Sequence, residues 1–446
     1  MNIRVVLGVL LLLFFLGIAI FEYRKRRDLF SPLVLFSIFG ILRYVPGLMY
    51  IDSYLGLDMT DKNSILVFFF ESLFVTFVLI GYYFAKQFKR NKKPFDIHFR
   101  DTFSLNCVAL FLYAIGFAFG LLYIHRIGGF SLVIHGDKIY TGGNGNSYIR
   151  AMMFLMIVGI CLLIQNNIKE KRLVYKLCLW SCVILLFMIY SFFFFIQTSR
   201  SPVLEALLII VMVYNYQGKR IRITDLFKPK AIIVFLIIAA YIIVMPYVRG
   251  LKGTETVSVQ NGLAYAFNNI TDVFKEFCYT TRDGFIYENF NESNFWYGSN
   301  LINLICAPLP SSIFAWKPPV DDGMYLANAS IGYFVRPPSS DLPWYNSYPL
   351  SSPGGLYINF GVFGLVVGGL LFGMLYNFSY QTLERSKYDF VFVIIYQLII
   401  YQLEFSSLSI VQTLTPLVIT YLSVKIFAGY RITNRLFDER ISSQAC

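Results

Sequence analysis

Apolar residues in this chain come in unbroken runs of roughly 15 to 23, separated by polar connections that are mostly short. The runs fall at about 4–21, 30–50, 64–85, 102–124, 151–165, 176–196, 202–216, 231–247, 355–378, 389–404 and 407–427. A hydrocarbon core about 30 Å thick takes about 20 helical residues, and a helix satisfies its own backbone there. The pattern therefore predicts an all-α polytopic membrane protein with about eleven transmembrane helices. The first run is expected to stay attached, because Arg24, Lys25, Arg26 and Arg27 follow it with no small-residue cleavage site between.

Composition supports this over the soluble domains that 446 residues would suggest, since 57% of the chain is hydrophobic and only 14% charged. The net charge of +12 raises the question of nucleic acid, and the placement of the cations answers it. Alternation from the first span puts segments 22–29, 86–101, 166–175, 217–230, 379–388 and 428–446 on one side. With the span-edge residues Lys176 and Lys425, that side holds 25 of the 38 Lys and Arg. It is expected to be cytoplasmic, with the excess reflecting topology. No nucleic-acid partner is implied, because the cations are spread over short connections.

The same alternation leaves three features outside: a loop at 125–150, a tight turn at 197–201 and one large segment, 248–354. The chain is thus read as helices 1–8 (1–247), a large periplasmic or extracellular loop (248–354), and helices 9–11 with a cytoplasmic tail (355–446). The large loop holds nine acidic and six basic residues and three of the four tryptophans, Trp296, Trp316 and Trp344, which fits a folded binding surface. Leu263, Phe267, Ile270, Phe274 and Phe277 have amphipathic-helix spacing, either on the membrane surface or packed on the loop itself. Residues 301–316 are apolar but too short and proline-broken to span, so they must be buried or line a cavity. Gly364/Gly368 and Gly369/Gly373 give two GxxxG spacings, expected to mean close helix packing. GGNGNS (142–147) lacks the Lys-Ser/Thr ending of a phosphate loop and is read as a flexible turn. Cys278 and Cys306 leave one disulfide open if the loop meets an oxidising compartment.

The turn TSRSP (198–202) carries the most conspicuous charge. Arg200 stands just before Ser201 and Pro202, an N-cap and first-turn pair, so a guanidinium meets a helix N-terminus there, an arrangement suited to phosphate. The equal alternative is that Arg200 snorkels and pairs with Glu205. Arg249, Arg282, Lys317 and Arg336 are further outer cations beside Pro or Gly, suited to a lipid-linked pyrophosphate or simply solvated. Asp283, Asp321, Asp322, Glu288 and Glu205 are candidate general bases or ordinary surface carboxylates, and loop aromatics such as Trp316 are candidate sugar platforms. The large loop has no histidine, and the chain has no HExxH or GxSxG, which excludes zinc hydrolases and serine esterases of those types.

PLPSSIFAWKPP (308–319), SPGGLYINFGVFGLVVGG (352–369) and TSRSPVLEALL (198–208) resemble stretches of bacterial O-antigen and related oligosaccharide repeat-unit polymerases. With the span count and single large outer loop, the likeness extends over most of the chain. Ser311 stands where members often carry an arginine, and the loop lacks the histidine that the related O-antigen ligases use there. The resemblance implies a GT-C-like polytopic enzyme of the bacterial inner membrane. Such an enzyme transfers a growing glycan from undecaprenyl pyrophosphate to another undecaprenyl-linked unit, without a nucleotide donor, cofactor or obligatory metal. Its partners would be those lipid-linked oligosaccharides and membrane lipids, with a chain-length regulator and a flippase as candidates. On that basis Arg282 with Asp283 or Asp321 would be catalytic. Arg200, Glu205, Arg249, Lys317, Arg336, Trp316 and Tyr357 would bind pyrophosphate or glycan. Lipid-oligosaccharide flippase or other transporter, using intramembrane Arg43, Glu71 and Glu205, is the rival from another class. O-antigen ligase, differing in acceptor, is the third.

Overall fold

The computed structural model describes residues 3–87, 94–99, 102–129, 146–168, 172–196, 201–229, 231–232, 235–236, 238–241, 275, 277–309, 313–314 and 316–433. Its helices are α1 (Ile3–Arg26), α2 (Pro32–Tyr50), α3 (Asp61–Gln87), α4 (Thr102–Arg126), α5 (Asn146–Met152), α6 (Leu155–Asn167), α7 (Leu173–Ile196), α8 (Ser201–Gln217), α9 (Ile223–Leu226), α10 (Thr280–Asn289), α11 (Ile302–Cys306), α12 (Asp322–Ser330), α13 (Ser352–Arg385), α14 (Phe390–Tyr401) and α15 (Ser407–Phe427). Two small antiparallel pairs complete them, β1 (Ser53–Tyr54) with β2 (Leu57–Asp58) and β3 (Asp96–His98) with β4 (Arg431–Thr433).

The protein is an all-α polytopic membrane protein: among the described residues, eight helical stretches are long and apolar enough to cross a membrane. Their outward faces are apolar, as at Leu13 and Phe21 in α1 and Leu177 and Met188 in α7. The expected spans at 202–216 and 389–404 correspond to α8 and α14, which are shorter, at 17 and 12 residues. The expected span at 231–247 lies mostly outside the described residues, as do the amphipathic stretch up to Phe274 and the turn at 142–145. Cys278 and Cys306 are both free thiols, so the possible disulfide is not formed.

The chain divides into two compact units. The first comprises residues 1–89, 269–378 and 399–414. Here α1 lies along α2, with Gly8 against Met49 and Gly40 against Phe15, where a Cβ would fall 2.4 Å from the facing side chain. Glycines also seat α3 on α13: a Cβ on Gly81 would lie 2.1 Å from the Leu370 carbonyl, and one on Gly373 2.0 Å from that of Val78. Segments that alternation places on the outer face touch one another in this unit. Arg4 pairs with Asp52 at 2.6 Å, Lys62 with Glu288 at 3.0 Å, and Tyr348 donates to the Leu55 carbonyl at 2.7 Å.

The second unit comprises residues 90–268, 379–398 and 415–446. Its centre is α6, buried from Leu155 to Ile164, with Gly159 so close to α4 that a Cβ would lie 2.5 Å from the Ala109 carbonyl. Segments expected on the cytoplasmic face meet here. β3 pairs with β4, Phe95 donates to the Arg385 carbonyl at 3.0 Å, and Tyr216 stacks on Tyr388 with centroids 4.7 Å apart.

Helix α13 resolves a problem of length. Thirty-four straight residues would run about 51 Å, well beyond the hydrocarbon core. Gly361 breaks the helix with φ 60° and ψ −146°, a conformation essentially reserved for glycine. The chain folds back on itself at this point: a Cβ on Gly364 would lie 2.4 Å from the Leu356 carbonyl, and one on Gly368 2.4 Å from the Leu356 side chain. In a straight helix residues 356 and 368 would be about 18 Å apart. The first GxxxG thus receives the chain's own preceding segment, and the second, Gly369/Gly373, receives α3. Loop residues fill the break, with Trp296 and Tyr297 donating to the Ile358 and Asn359 carbonyls at 3.0 Å and Gly298 N–H to Asn359 Oδ1 at 2.8 Å. Replacing Gly361 by alanine is expected to lower the Tm of the purified protein by several degrees, because the new Cβ meets the Phe295 ring at 3.0 Å in a forbidden backbone region. Gly17→Ala, with nothing within 4 Å, should leave Tm unchanged. Equal Tm values for the two variants would contradict this account of the turn.

Candidate functional site

The large loop returns to the spans through α10, whose sequence TTRDGFIYEN buries Thr280 to Gly284, Ile286 and Tyr287. Two glycines let it approach. Thr280 Oγ1 lies 1.5 Å from where a Cβ on Gly47 of α2 would stand, and Gly284 faces Asn63 and Val67 of α3. This seats Arg282 and Asp283 against α2 and α3. Glu71, which Tyr287 contacts, is ten residues into α3, a depth of about 15 Å.

An ion pair organises the surroundings. Arg43 of α2 pairs with Glu404, in the connection between α14 and α15, and also donates to the Tyr401 carbonyl at 3.3 Å. Glu404 Oε2 accepts from Ser352 N–H at 2.7 Å and from the Ser352 hydroxyl. Ser351, the preceding residue, accepts from Gly354 N–H at 2.8 Å and donates to Asp283 Oδ2 at 2.7 Å. Two carboxylates therefore sit at the N-terminus of α13, where unpaired N–H groups and the helix dipole favour negative charge. Both guanidiniums lie over the Tyr279 ring, Arg282 at 4.2 Å and Arg43 at 5.5 Å from its centroid. Arg282 also donates to the Cys278 carbonyl and, at 3.3 Å, to that of Pro349.

A second carboxyl stands beside Asp283. The Tyr44 hydroxyl lies near Asp283, Glu71 and Ser351. Tyr287 donates to Glu71 at 2.8 Å, and its ring meets that of Tyr357 at 4.9 Å. Tyr357 also packs on Phe70 and Phe295, so it is the aromatic wall of the acidic pair. Burial pushes the Asp283 carboxyl well above the usual range, and the Ser351 hydroxyl, the Arg282 guanidinium and Tyr44 hold it back. Asp283 Oδ1 and Arg282 Nε are buried without a hydrogen-bond partner. Two unspent polar atoms of opposite character in one buried place are costly unless something binds there. The cluster can accept a proton at Asp283 and offer guanidinium N–H groups to an anion.

The other residues singled out from sequence have different surroundings. Asp321 spends its carboxylate as the N-cap of α12, accepting from Gly323 N–H at 2.9 Å, and burial raises its pKa. Its neighbour Asp322, pushed up to about 6 by burial, bonds Asn300 at 2.9 Å and Ser407 N–H at 2.5 Å. Lys317 closes its own loop, donating to the Ala307 and Leu309 carbonyls at 2.9 and 2.7 Å. Trp316 is exposed and packs on Phe314. Arg336 lies at the surface over Tyr297. Glu205 lies just past the first turn of α8 with Oε1 buried and without a partner among the described residues, while Arg200 and Arg249 lie outside the described residues.

Sequence reasoning missed Tyr44, Tyr279, Ser351 and Glu404. Only Glu404 carried a signal, as a carboxylate at the edge of an apolar run.

A raised carboxyl gives a pH signature. An acid whose folded-state pKa exceeds its unfolded value of about 3.9 supports the fold below that value, and loses this support as pH rises through the folded-state value. The Tm of the purified protein should therefore fall as pH rises through that window. Asp283→Asn, which cannot ionise, should flatten the fall, and an identical slope in the variant would contradict the raised proton affinity of the buried Asp283.

No family model, curated protein or solved structure matches this chain.

Proposed function

We propose that this chain is a polymerase of the bacterial inner membrane. It would join undecaprenyl-pyrophosphate-linked oligosaccharide repeats into O-antigen or a related surface polysaccharide, on the outer face. Eleven spans, with the eighth at 231–247, and a GT-C-like arrangement belong to this proposal. The observation that carries it is the cluster of buried Arg282, Asp283 and Glu404 with half-buried Arg43, formed where the large loop meets the spans. Charges at that depth are costly and are kept for work on charged or polar substrates.

In this mechanism Asp283 takes the proton of the acceptor sugar hydroxyl, whose oxygen forms a bond to the donor's anomeric carbon. The bond from that carbon to the pyrophosphate oxygen breaks, and undecaprenyl pyrophosphate leaves with the electron pair. Arg282 stabilises the departing charge. Because Asp283 is fully buried, α10 and the start of α13 must part to admit the reacting groups. Transport of the lipid-linked oligosaccharide is a second possibility, favoured by the depth of Glu71.

Purified protein in liposomes, supplied with lipid-pyrophosphate-linked repeat units, should build a ladder of oligomers. Arg282→Gln and Asp283→Asn should each slow it by at least about a hundredfold while keeping a folded protein. Movement of intact substrate across the bilayer without a ladder would replace polymerase by transporter. Wild-type rates in both variants would remove Arg282 and Asp283 from the chemistry.

A further inference from the structure

Separate from the buried charges, the large loop encloses a cavity of about 250 Å³. Phe290, Trp296 and Phe334 form its aromatic wall, with Ser293, Asn294 and Arg336 among its polar lining. The wall is rigid: Phe290 meets Phe334 at 5.5 Å and Trp296 at 6.3 Å, and Trp296 leans on Tyr325 at 6.0 Å. Local bonds fix the polar turn as well. Asn294 donates to the Asn289 carbonyl at 3.0 Å and accepts from Asn291 N–H at 2.7 Å, and the Ser293 hydroxyl donates to Asn291 Oδ1 at 2.6 Å. Arg336 differs. One of its nitrogens is anchored on the Ser293 carbonyl, and its guanidinium is over the Tyr297 ring at 5.6 Å. Among the described residues no carboxylate pairs with it.

A guanidinium with unused N–H groups selects an anionic group, and among the described residues it is the only charged side chain lining the cavity. The volume is below the range of drug-sized pockets and suits one sugar ring rather than a whole repeat unit. Phe334, 45% exposed, offers an accessible aromatic face to such a ring. A lipid-linked pyrophosphate carries more charge than a lone cation neutralises, so the pyrophosphate role expected for Arg336 fits this place poorly. We propose that the cavity holds one carboxylate-bearing sugar residue of the glycan, its ring against Phe334 and its carboxylate on Arg336. This rests on the polymerase proposal only for the origin of the glycan.

The test is saturation-transfer NMR on purified, detergent-solubilised protein. The probes are the methyl glycosides of glucuronic, galacturonic and N-acetylneuraminic acids, with methyl glucoside and inorganic phosphate as controls. At least one acidic glycoside should bind the wild type, methyl glucoside should not, and equimolar phosphate should not displace the acidic probe. Arg336→Gln should weaken binding about tenfold or more, and Phe334→Ala should weaken it too, with Tm showing both variants folded. Failure of every acidic probe on the wild type overturns the proposal. Equal binding of methyl glucoside, displacement by phosphate, or undiminished binding in Arg336→Gln overturns it as well. Probe binding without ladder formation from lipid-linked units keeps the cavity and removes the polymerase, whereas a ladder without probe binding removes the cavity alone.

Discussion

The polar junction of the first unit depends on keeping Arg43 partnered. Arg43 is half-buried and Glu404 buried, so losing either partner leaves the other charge poorly hydrated. Glu404 supplies the partner, and its second oxygen takes Ser352 at the head of α13. That head also holds Asp283 through Ser351, and Tyr279 links Arg43 to Arg282. One ion pair thus ties α2, α10, α13 and the approach to α15 into a single polar junction. Its desolvation is what gives the Asp283 carboxyl its unusual proton affinity.

The broken helix α13 serves the same junction. If α13 ran straight, its first turns would project beyond the membrane and Ser351 would be far from Asp283. The turn at Gly361 brings those turns back along the helix, and Trp296 to Gly298 take up the carbonyls that the break exposes. Only a residue without a Cβ fits there. The catalytic candidates and the sugar cavity are therefore built on the same loop, whose segment 296–298 is bonded into the break.

The membrane-spanning architecture was legible in the sequence because runs of apolar residues are a one-dimensional signal. So were the intramembrane charges Arg43 and Glu71, although Arg43's partner Glu404 was not, since 361 positions separate the two. Arg282 and Asp283 were singled out for residue type alone, and only burial distinguishes Asp283 from Asp321, which an N-cap consumes. In the stretch YINFG (357–361), Asn359 bonds the inserted loop and Gly361 makes the turn, roles that spacing does not reveal. Lys317 reads in sequence as an outer cation, and the structure shows it donating to backbone carbonyls ten and eight residues earlier. Pairings across hundreds of residues and side-chain bonds to backbone leave no mark on spacing.

The central claim is that the Arg43–Glu404 pair holds Arg282 and Asp283 in working position. Reciprocal charge exchange measures this most directly, comparing Arg43→Glu, Glu404→Arg and the combined variant for Tm and for ladder formation from lipid-linked repeat units. Each single change should place two like charges together and lose both stability and polymer, and the exchange should recover Tm with part of the transfer rate. Single variants as stable and active as the wild type, or an exchange no better than its parents, would contradict the account.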